Sequence, residues 1–204
     1  MGDAFVDLDN DGWEDLVAVN GQVYPQVDTL PSGARYRQPK NLFMNERNGN
    51  FCDAGQQAGP ALQEPRVSRG LAVADLDNDG NVDIVVSDID GSPMILHING
   101  LPGTHWVSFE LGGTKSNRLA LGARVTLTVG GMTQTDEVRS GGSYISQNDL
   151  RLHFGLAGAT KIDTVEIRWP SGAVEKLTNL PADHFYSVLE GSGIVSPEKS
   201  RPVK

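Results

Sequence analysis

The chain has only one cysteine among its 204 residues, Cys52. It therefore cannot form an internal disulfide, and a zinc site built on several cysteine ligands is excluded. We expect Cys52 to act as a small, partly buried apolar residue. A single cysteine indicates nothing about whether the protein works in an oxidising or a reducing compartment.

Long apolar runs are also lacking, so no segment is expected to insert into a membrane. Residues 1–6 contain no basic region followed by an apolar stretch, and no signal peptide is visible. Basic residues are few relative to acidic ones, 17 against 26, so the formal net charge is −9 and the isoelectric point is about 4.8. Such an acidic chain is not expected to bind nucleic acid.

Recognisable catalytic motifs are missing. There is no G-x-S-x-G elbow, no P-loop and no H-E-x-x-H sequence, and the four histidines are scattered along the chain. The sequence therefore predicts that the protein is not an enzyme. An active site assembled from distant residues stays open as an alternative, as does an accessory role in a biosynthetic pathway.

Aspartate, in contrast, is concentrated in two loops of the form D-x-D-x-D-G-x-x-D, one at Asp7–Asp15 and one at Asp75–Asp83. Calcium prefers several oxygen ligands, and carboxylates at alternate positions of a curled loop can converge on one ion. Gly12 and Gly80 permit the sharp turn, and the residue after each glycine can add a backbone carbonyl. The predicted ligands of two calcium ions are Asp7, Asp9, Asp11, Trp13 and Asp15 for one, and Asp75, Asp77, Asp79, Asn81 and Asp83 for the other.

Other interpretations of these loops fit less well. Clustered carboxylates repel one another without a cation, which disfavours a pair of merely solvated acidic loops. Magnesium demands a tighter octahedral geometry and retains its water. An EF-hand requires glutamate at the twelfth loop position, where this chain has Ala18 and Val86. Short β-branched runs flank both loops, so we predict calcium loops between strands.

The two loops resemble those of FG-GAP/VCBS repeats, which occur in integrin-type β-propeller blades. The segment Asn41–Asn45, followed by Asn48–Phe51, resembles the linking hairpin of these repeats. The resemblance covers roughly residues 1–100 and implies about two blades, in which each loop joins adjacent strands. Propellers need about four to eight blades to close. We therefore expect missing N-terminal blades or self-association through blade edges.

Residues 105–190 resemble the ASPIC/UnbV domain, which follows such repeats in cartilage acidic proteins and many bacterial proteins. The matching stretches are Lys115–Arg118, Leu121–Val125, Gly142–Gln147, Leu152–Leu156 and Val165–Gly172. Alternating apolar runs between glycine-rich turns predict a β-sandwich in this region. The predicted fold is all-β, with partial propeller blades at residues 1–100, a sandwich-like domain at 104–191 and a disordered tail at 192–204.

A polar patch in the second domain is the candidate site for a ligand other than calcium. Its residues are Arg118, Tyr144, Ser146 and Gln147. A hydrogen-bonded loop brace is an equally good interpretation of these residues, and His153 is expected to be structural. The sequence and the resemblance together predict a non-catalytic, calcium-stabilised extracellular or periplasmic module. Its partner would be a protein or a glycan, and a purely structural cap on a larger propeller is the alternative.

Overall fold

The computed structural model describes residues 2–199, and these residues form mostly strands. Besides a 3₁₀ helix at Pro25–Thr29, the first half of the chain contains seven strands and one short α-helix. Their bounds are β1 Gly2–Val6, β2 Asp15–Val19, β3 Asn41–Asn45, β4 Phe51–Asp53, α1 Pro60–Gln63, β5 Ser68–Ala74, β6 Asp83–Asp88 and β7 Met94–Leu96.

These seven strands form two antiparallel sheets, ordered β1-β2-β3-β4 and β5-β6-β7. Each Asp-rich loop joins the first two strands of its sheet, as the sequence predicts. Alternation along β1 turns Ala4 and Val6 into a core that both sheets share, while Asp3 and Phe5 face outward. The two sheets correspond to the two predicted repeat units, and their membership of a propeller stays a prediction.

The second half contains eight strands. Their bounds are β8 His105–Gly112, β9 Arg124–Val129, β10 Met132–Glu137, β11 Leu152–Ala157, β12 Lys161–Arg168, β13 Val174–Pro181, β14 His184–Leu189 and β15 Gly193–Lys199. They form two four-stranded sheets, ordered β10-β9-β12-β13 and β11-β8-β14-β15.

The two sheets of the second half enclose a separate core. Phe109 on β8 and Val125 on β9 are both fully buried in it, as are Val165 and Ile167 on β12. Residues from both sheets contribute to this core, which makes the arrangement a sandwich. The predicted all-β class is therefore confirmed. One pairing departs from the antiparallel pattern, because β14 runs parallel to β8.

The prediction of a disordered tail is wrong for the residues that the structure describes. Gly193–Lys199 forms β15, which pairs antiparallel with β14. Without this strand β14 would present an unpaired edge, so the pairing satisfies backbone groups that would otherwise be exposed. Residues 200–204 lie outside the described residues. Within residues 2–199, no helix has the length and apolar character needed to cross a bilayer.

Candidate metal centre at the junction of the two halves

The first Asp-rich loop curls around its own carboxylates. Asp7 accepts hydrogen bonds from the backbone N–H groups of Asp11 and Gly12, at 3.1 and 2.7 Å. Asp15 accepts one from Leu8 at 3.1 Å and one from Asn45 on β3 at 2.8 Å. Gly12 has a φ of +90°, a conformation that glycine adopts without strain. The sequence thus fixes the curl through its glycine and its alternating aspartates.

Three of the four predicted carboxylates in this loop converge. One oxygen each from Asp7, Asp9 and Asp15 lies within 4.8 Å of the other two. Two oxygens bound to the same calcium ion can be about 5 Å apart, because each lies 2.3–2.6 Å from the ion. Asp11 instead directs Oδ2 at the guanidinium of Arg47, whose Nε lies 2.6 Å away. The structure therefore brings together three oxygen donors and turns the fourth aspartate to an arginine.

Burial makes these carboxylates costly to ionise without a cation. It raises the pKa of Asp7 to about 7, although the N–H of Gly12 opposes this shift. Burial likewise raises the pKa of Asp15 to about 6. The pKa of Asp9 is raised by burial and by the neighbouring Asp11. An oxygen-only set of mutually repelling carboxylates has the chemistry that calcium would neutralise, so the first loop fits this ion.

The second loop repeats the curl. Asp75 accepts hydrogen bonds from the N–H groups of Asp79 and Gly80, at 3.2 and 2.9 Å. Asp83 accepts one from Leu76 at 3.3 Å and one from Ile98 at 3.0 Å. The backbone bonds of Asp75 and Asp83 match those of Asp7 and Asp15 in the first loop.

The donor cluster of the second loop differs, because it includes a histidine. Ligand atoms of Asp77, Asp79 and His97 lie within 4.8 Å of one another. The Nδ1 atom of His97 is 2.9 Å from an oxygen of Asp83. Imidazole suits transition metals better than calcium, so the first loop matches calcium more fully than the second. His97 lies just beyond β7, outside the repeated spacing, and the motif alone could not indicate it.

One asparagine in each loop connects the loops to the second half of the chain. Asn10 and Asn78 occupy the same loop position, and both have a left-handed φ, of 59° and 61°. The Oδ1 atom of Asn10 lies 2.7 Å from Nε2 of His153 on β11. The Oδ1 atom of Asn78 accepts a hydrogen bond of 2.6 Å from Arg151, immediately before β11. The two asparagines, at equivalent loop positions, thus contact residues that are two positions apart in the chain at the start of β11.

Asn10 also joins the two loops to each other. Its Nδ2 donates to the carbonyl of Gly80 at 3.0 Å and to Oδ1 of Asn81 at 3.2 Å. Since Nδ2 is a donor, Oδ1 is the atom that accepts from His153, and Nε2 must carry the proton. Burial and then Arg151 lower the pKa of His153 to about 4. The imidazole is therefore neutral, and Nδ1 is buried without a hydrogen-bond partner.

Close approach of the two halves depends on two glycines. A Cβ on Gly155 of β11 would lie 2.0 Å from Oδ2 of Asp7, and one on Gly80 would lie 1.8 Å from the indole of Trp106. Trp106 in turn stacks on His153, with ring centroids 5.8 Å apart. Both Asp-rich loops therefore pack directly against β8 and β11, and the candidate metal centre lies at the junction of the halves.

The residues of the predicted polar patch do not share one hydrogen-bond network. Gln147 accepts a bond from Gly141 and donates to the carbonyl of Asn148, and Ser146 bonds the carbonyl of Tyr144. These contacts are those of a loop brace. Arg118 lies in a different loop, whose neighbouring residues 114–116 are anchored to Glu190. A role in ligand binding for these four residues stays a prediction.

Glu190 is a buried carboxylate that the sequence did not single out. It is 3% exposed. Burial opposes its ionisation, but hydrogen bonds from the backbone of Ser116, the hydroxyl of Ser171 and the backbone of Thr114 and Lys115 lower its pKa to about 2. Glu190 therefore ties the loop at 114–116 to the turn at Ser171. These two segments overlap with two of the stretches that resemble the ASPIC/UnbV domain in sequence.

Profiles of two families match the chain. The FG-GAP-like repeat matches residues 7–86, and the ASPIC and UnbV family matches residues 113–195. The first half of the chain is therefore similar to an FG-GAP-like repeat, and the second half is similar to an ASPIC and UnbV domain. The two matches lie on the two halves that meet at the candidate metal centre, and the resemblance inferred from the sequence is confirmed.

Individual relatives are more distant. Human cartilage acidic protein 1 is 29% identical over 136 residues, which is 65% of this chain. The chain spans only 20% of the length of that protein. A crystal structure from Bacteroides ovatus, described as that of a candidate cell adhesion protein, is 11% identical and covers 92% of this chain and 87% of its own. Its TM-score of 0.29 is too low to support an argument about fold or function.

Proposed function

We propose that this chain is a calcium-stabilised, non-catalytic extracellular module that binds a protein or glycan ligand, as in adhesion. One observation carries the proposal: Asp7, Asp9 and Asp15 converge in a loop that packs against the ASPIC and UnbV domain. A calcium ion there would be held by Asp7, Asp9 and Asp15. A second ion would be held in the other loop, where Asp77 and Asp79 converge with His97.

Calcium at this junction would act on more than one loop. It would offset the repulsion among buried carboxylates and so favour the curled backbone that presents Asn10 to His153. Sites in extracellular modules bind calcium with dissociation constants of about 10⁻⁴–10⁻³ M, so even a weak site would be filled where calcium is abundant. The matches to FG-GAP-like repeats and to cartilage acidic protein 1 support an extracellular setting.

The histidines support a non-catalytic role. His153 bonds Asn10, His97 and His105 contact Asp83 and Asp183, and His184 contacts a backbone carbonyl. In the part of the chain that the structure describes, His97 belongs to the donor cluster of the second loop, and each of the other histidines makes a contact that braces a loop or strand end. The neutral His153 contacts Trp106 and Asn10, and neither of these side chains is a nucleophile.

Calorimetric titration of the metal-free chain with calcium tests the proposal. We expect two unequal binding events and a melting temperature that rises with calcium and falls back on addition of chelator. Asp7→Asn should abolish the event at the first loop. Asp90→Asn is the matched control, because Asp90 is an exposed aspartate outside both loops and its left-handed φ of 55° suits asparagine. No heat and no chelator-sensitive shift in melting temperature would refute the proposal.

A further inference from the structure

A cleft of about 770 Å³ separates the repeat segment from the ASPIC and UnbV domain. One wall contains β1, the opposite wall contains all of β10, and the loop at 139–149 lies along the same cleft. Neither wall strand is paired on its outer side, since β1 and β10 are each the terminal strand of their sheet. The cleft is therefore lined by two strand edges.

Hydrogen bonds identify which backbone groups of β10 point outward. The N–H of Glu137 bonds the side chain of Asp136 at 2.7 Å, so it faces away from β9. Because backbone direction alternates along a strand, the N–H and C=O groups of Thr133 and Thr135 also face away from β9. These groups form a free edge along the cleft.

The edge of β1 is less available. The N–H of Asp3 donates to the hydroxyl of Ser143 at 2.8 Å, so it points away from β2. The backbone N–H and C=O groups of Phe5, two residues later, point the same way. Beyond Phe5 the chain soon enters the first Asp-rich loop. β10 therefore offers the longer edge for pairing.

Exposed aromatic rings line the same cleft. Phe5 is 56% exposed and Phe51 is 42% exposed, and their ring centroids are 6.4 Å apart. Trp13 adds a third exposed ring. Aromatic rings at binding sites bury large areas at low entropic cost, so these rings can receive apolar side chains of a ligand.

The charge of the cleft is one-sided. Apart from the loop residues Asp7 and Asp75, its lining contains five carboxylates and two arginines. Arg151 is already bound to Asp149 and Asn78, and Arg139 is bound to Asp136. Asp3 and Glu14 have no cationic partner among residues 2–199. The cleft therefore complements a positively charged ligand.

We propose that this cleft binds a basic polypeptide segment in an extended conformation, which pairs with the free edge of β10 and places its apolar side chains against Phe5 and Phe51. Main-chain hydrogen bonds to an exposed strand edge provide affinity in this mode, and alternate side chains provide specificity. Lysine or arginine side chains of the peptide would meet Asp3 and Glu14. The proposal rests on the ligand-binding part of the proposed function and names the ligand class.

The probe is an acetylated, amidated octapeptide of alternating lysine and valine, titrated into the calcium-loaded full chain and followed by fluorescence anisotropy. We expect saturable binding that weakens as salt is added. Methylation of alternate backbone nitrogens of the peptide should weaken binding by about tenfold or more, because it removes the main-chain donors. Hydrogen exchange should slow at Thr133 and Thr135 in the complex.

Two pairs of variants locate the site. Asp3→Asn combined with Glu14→Gln should weaken binding about three- to tenfold, whereas Asp90→Asn should leave it unchanged. Phe5→Thr should weaken binding, whereas Ile95→Thr should not, because Ile95 is similarly exposed, at 62%, on β7 outside the cleft. All four variants alter exposed or cleft-lining side chains, and their melting temperatures report whether each one folds.

Several results would overturn this inference: no binding, equal binding of the N-methylated peptide or of a glutamate-valine peptide, or insensitivity to the Asp3 and Glu14 changes. Self-association that the peptide does not displace would indicate that the cleft binds a second copy of this chain, and this result would also overturn the inference. Calcium titration of the same sample separates the two proposals. Normal calcium binding without peptide binding refutes the peptide site alone, whereas failure to bind calcium refutes the proposed function.

Discussion

Asn10 contacts both the second domain and the other Asp-rich loop. It bonds His153 in the second domain, accepts a backbone bond from Ala157, and donates to the neighbouring loop at Gly80 and Asn81. Its left-handed backbone also shapes the first loop. A side chain that is not a predicted calcium ligand thus holds both loops and the adjoining strand together.

We predict that Asn10→Gly destabilises the calcium-loaded protein by about 1–3 kcal/mol, because His153 loses its buried partner. Glycine keeps the positive φ, so backbone strain does not contribute. The measurement is urea unfolding at saturating calcium. Asn179→Gly is the control, since Asn179 has the same φ of 59° but is exposed, and it should change stability by less than about 0.5 kcal/mol. Equal losses in the two variants would contradict the role assigned to Asn10.

Glu190 provides a prediction about pH. Its pKa in the folded protein, about 2, is below the ordinary value of 4.5 that it would have in the unfolded chain. The ionised group therefore stabilises the fold above pH 4.5, and this stabilisation is lost as the pH falls towards 2. We expect Glu190→Gln to lower the melting temperature at pH 7, with a difference from the parent that shrinks below pH 4.5. A constant difference across that range would contradict this explanation, and Glu46→Gln, at an exposed position, should show little difference at any pH.

At the scale of elements, strand β11 and the first loop are in such close contact that no side chain fits between them. We predict that Gly155→Ala destabilises the protein by about 1–3 kcal/mol, since its Cβ would collide with Asp7 and with the backbone of Asn10. Calcium binding at the first loop should weaken, while binding at the second should persist. Gly158→Ala, where the added methyl meets nothing within 4 Å, should be close to neutral in the same unfolding and titration experiments.

How far the sequence predicts these elements depends on the range of the interactions that form them. The strands around the two loops could be predicted, because their apolar runs and turn residues are local and occur twice. Strand β15 was missed, because its seven residues form a strand only through pairing with β14. The carboxylates of the first loop were predicted from spacing alone, yet Asp11 turns to Arg47, which the spacing does not indicate.

The contacts between the halves could not be predicted from the sequence. Asn10 and His153 are separated by 143 positions, and no local pattern connects them. The identical asparagine in both loops was the available signal, because a residue repeated at a non-ligating position requires another role. The neutral state of His153 follows only from its burial beside Arg151.

For the molecule as a whole, the contacts of both loops with β8 and β11 predict that calcium couples the stabilities of the two domains. With calcium bound, differential scanning calorimetry should show one unfolding transition, because each domain unfolds only with loss of the shared junction. In chelator, the junction weakens and the repeat segment should unfold at a lower temperature than the sandwich, giving two transitions. Two transitions at the same separation with and without calcium would show that the domains are independent.

Arg151, immediately before β11, and His153, on β11, are two positions apart in the chain, and each bonds the asparagine of a different repeat. Successive same-side residues of a strand are spaced by about 7 Å. The spacing of Arg151 and His153 therefore matches the spacing of Asn78 and Asn10 in the two repeats. Inserting one residue between Arg151 and His153 would turn one of these side chains to the opposite face. The domain would then bond the asparagine of only one repeat.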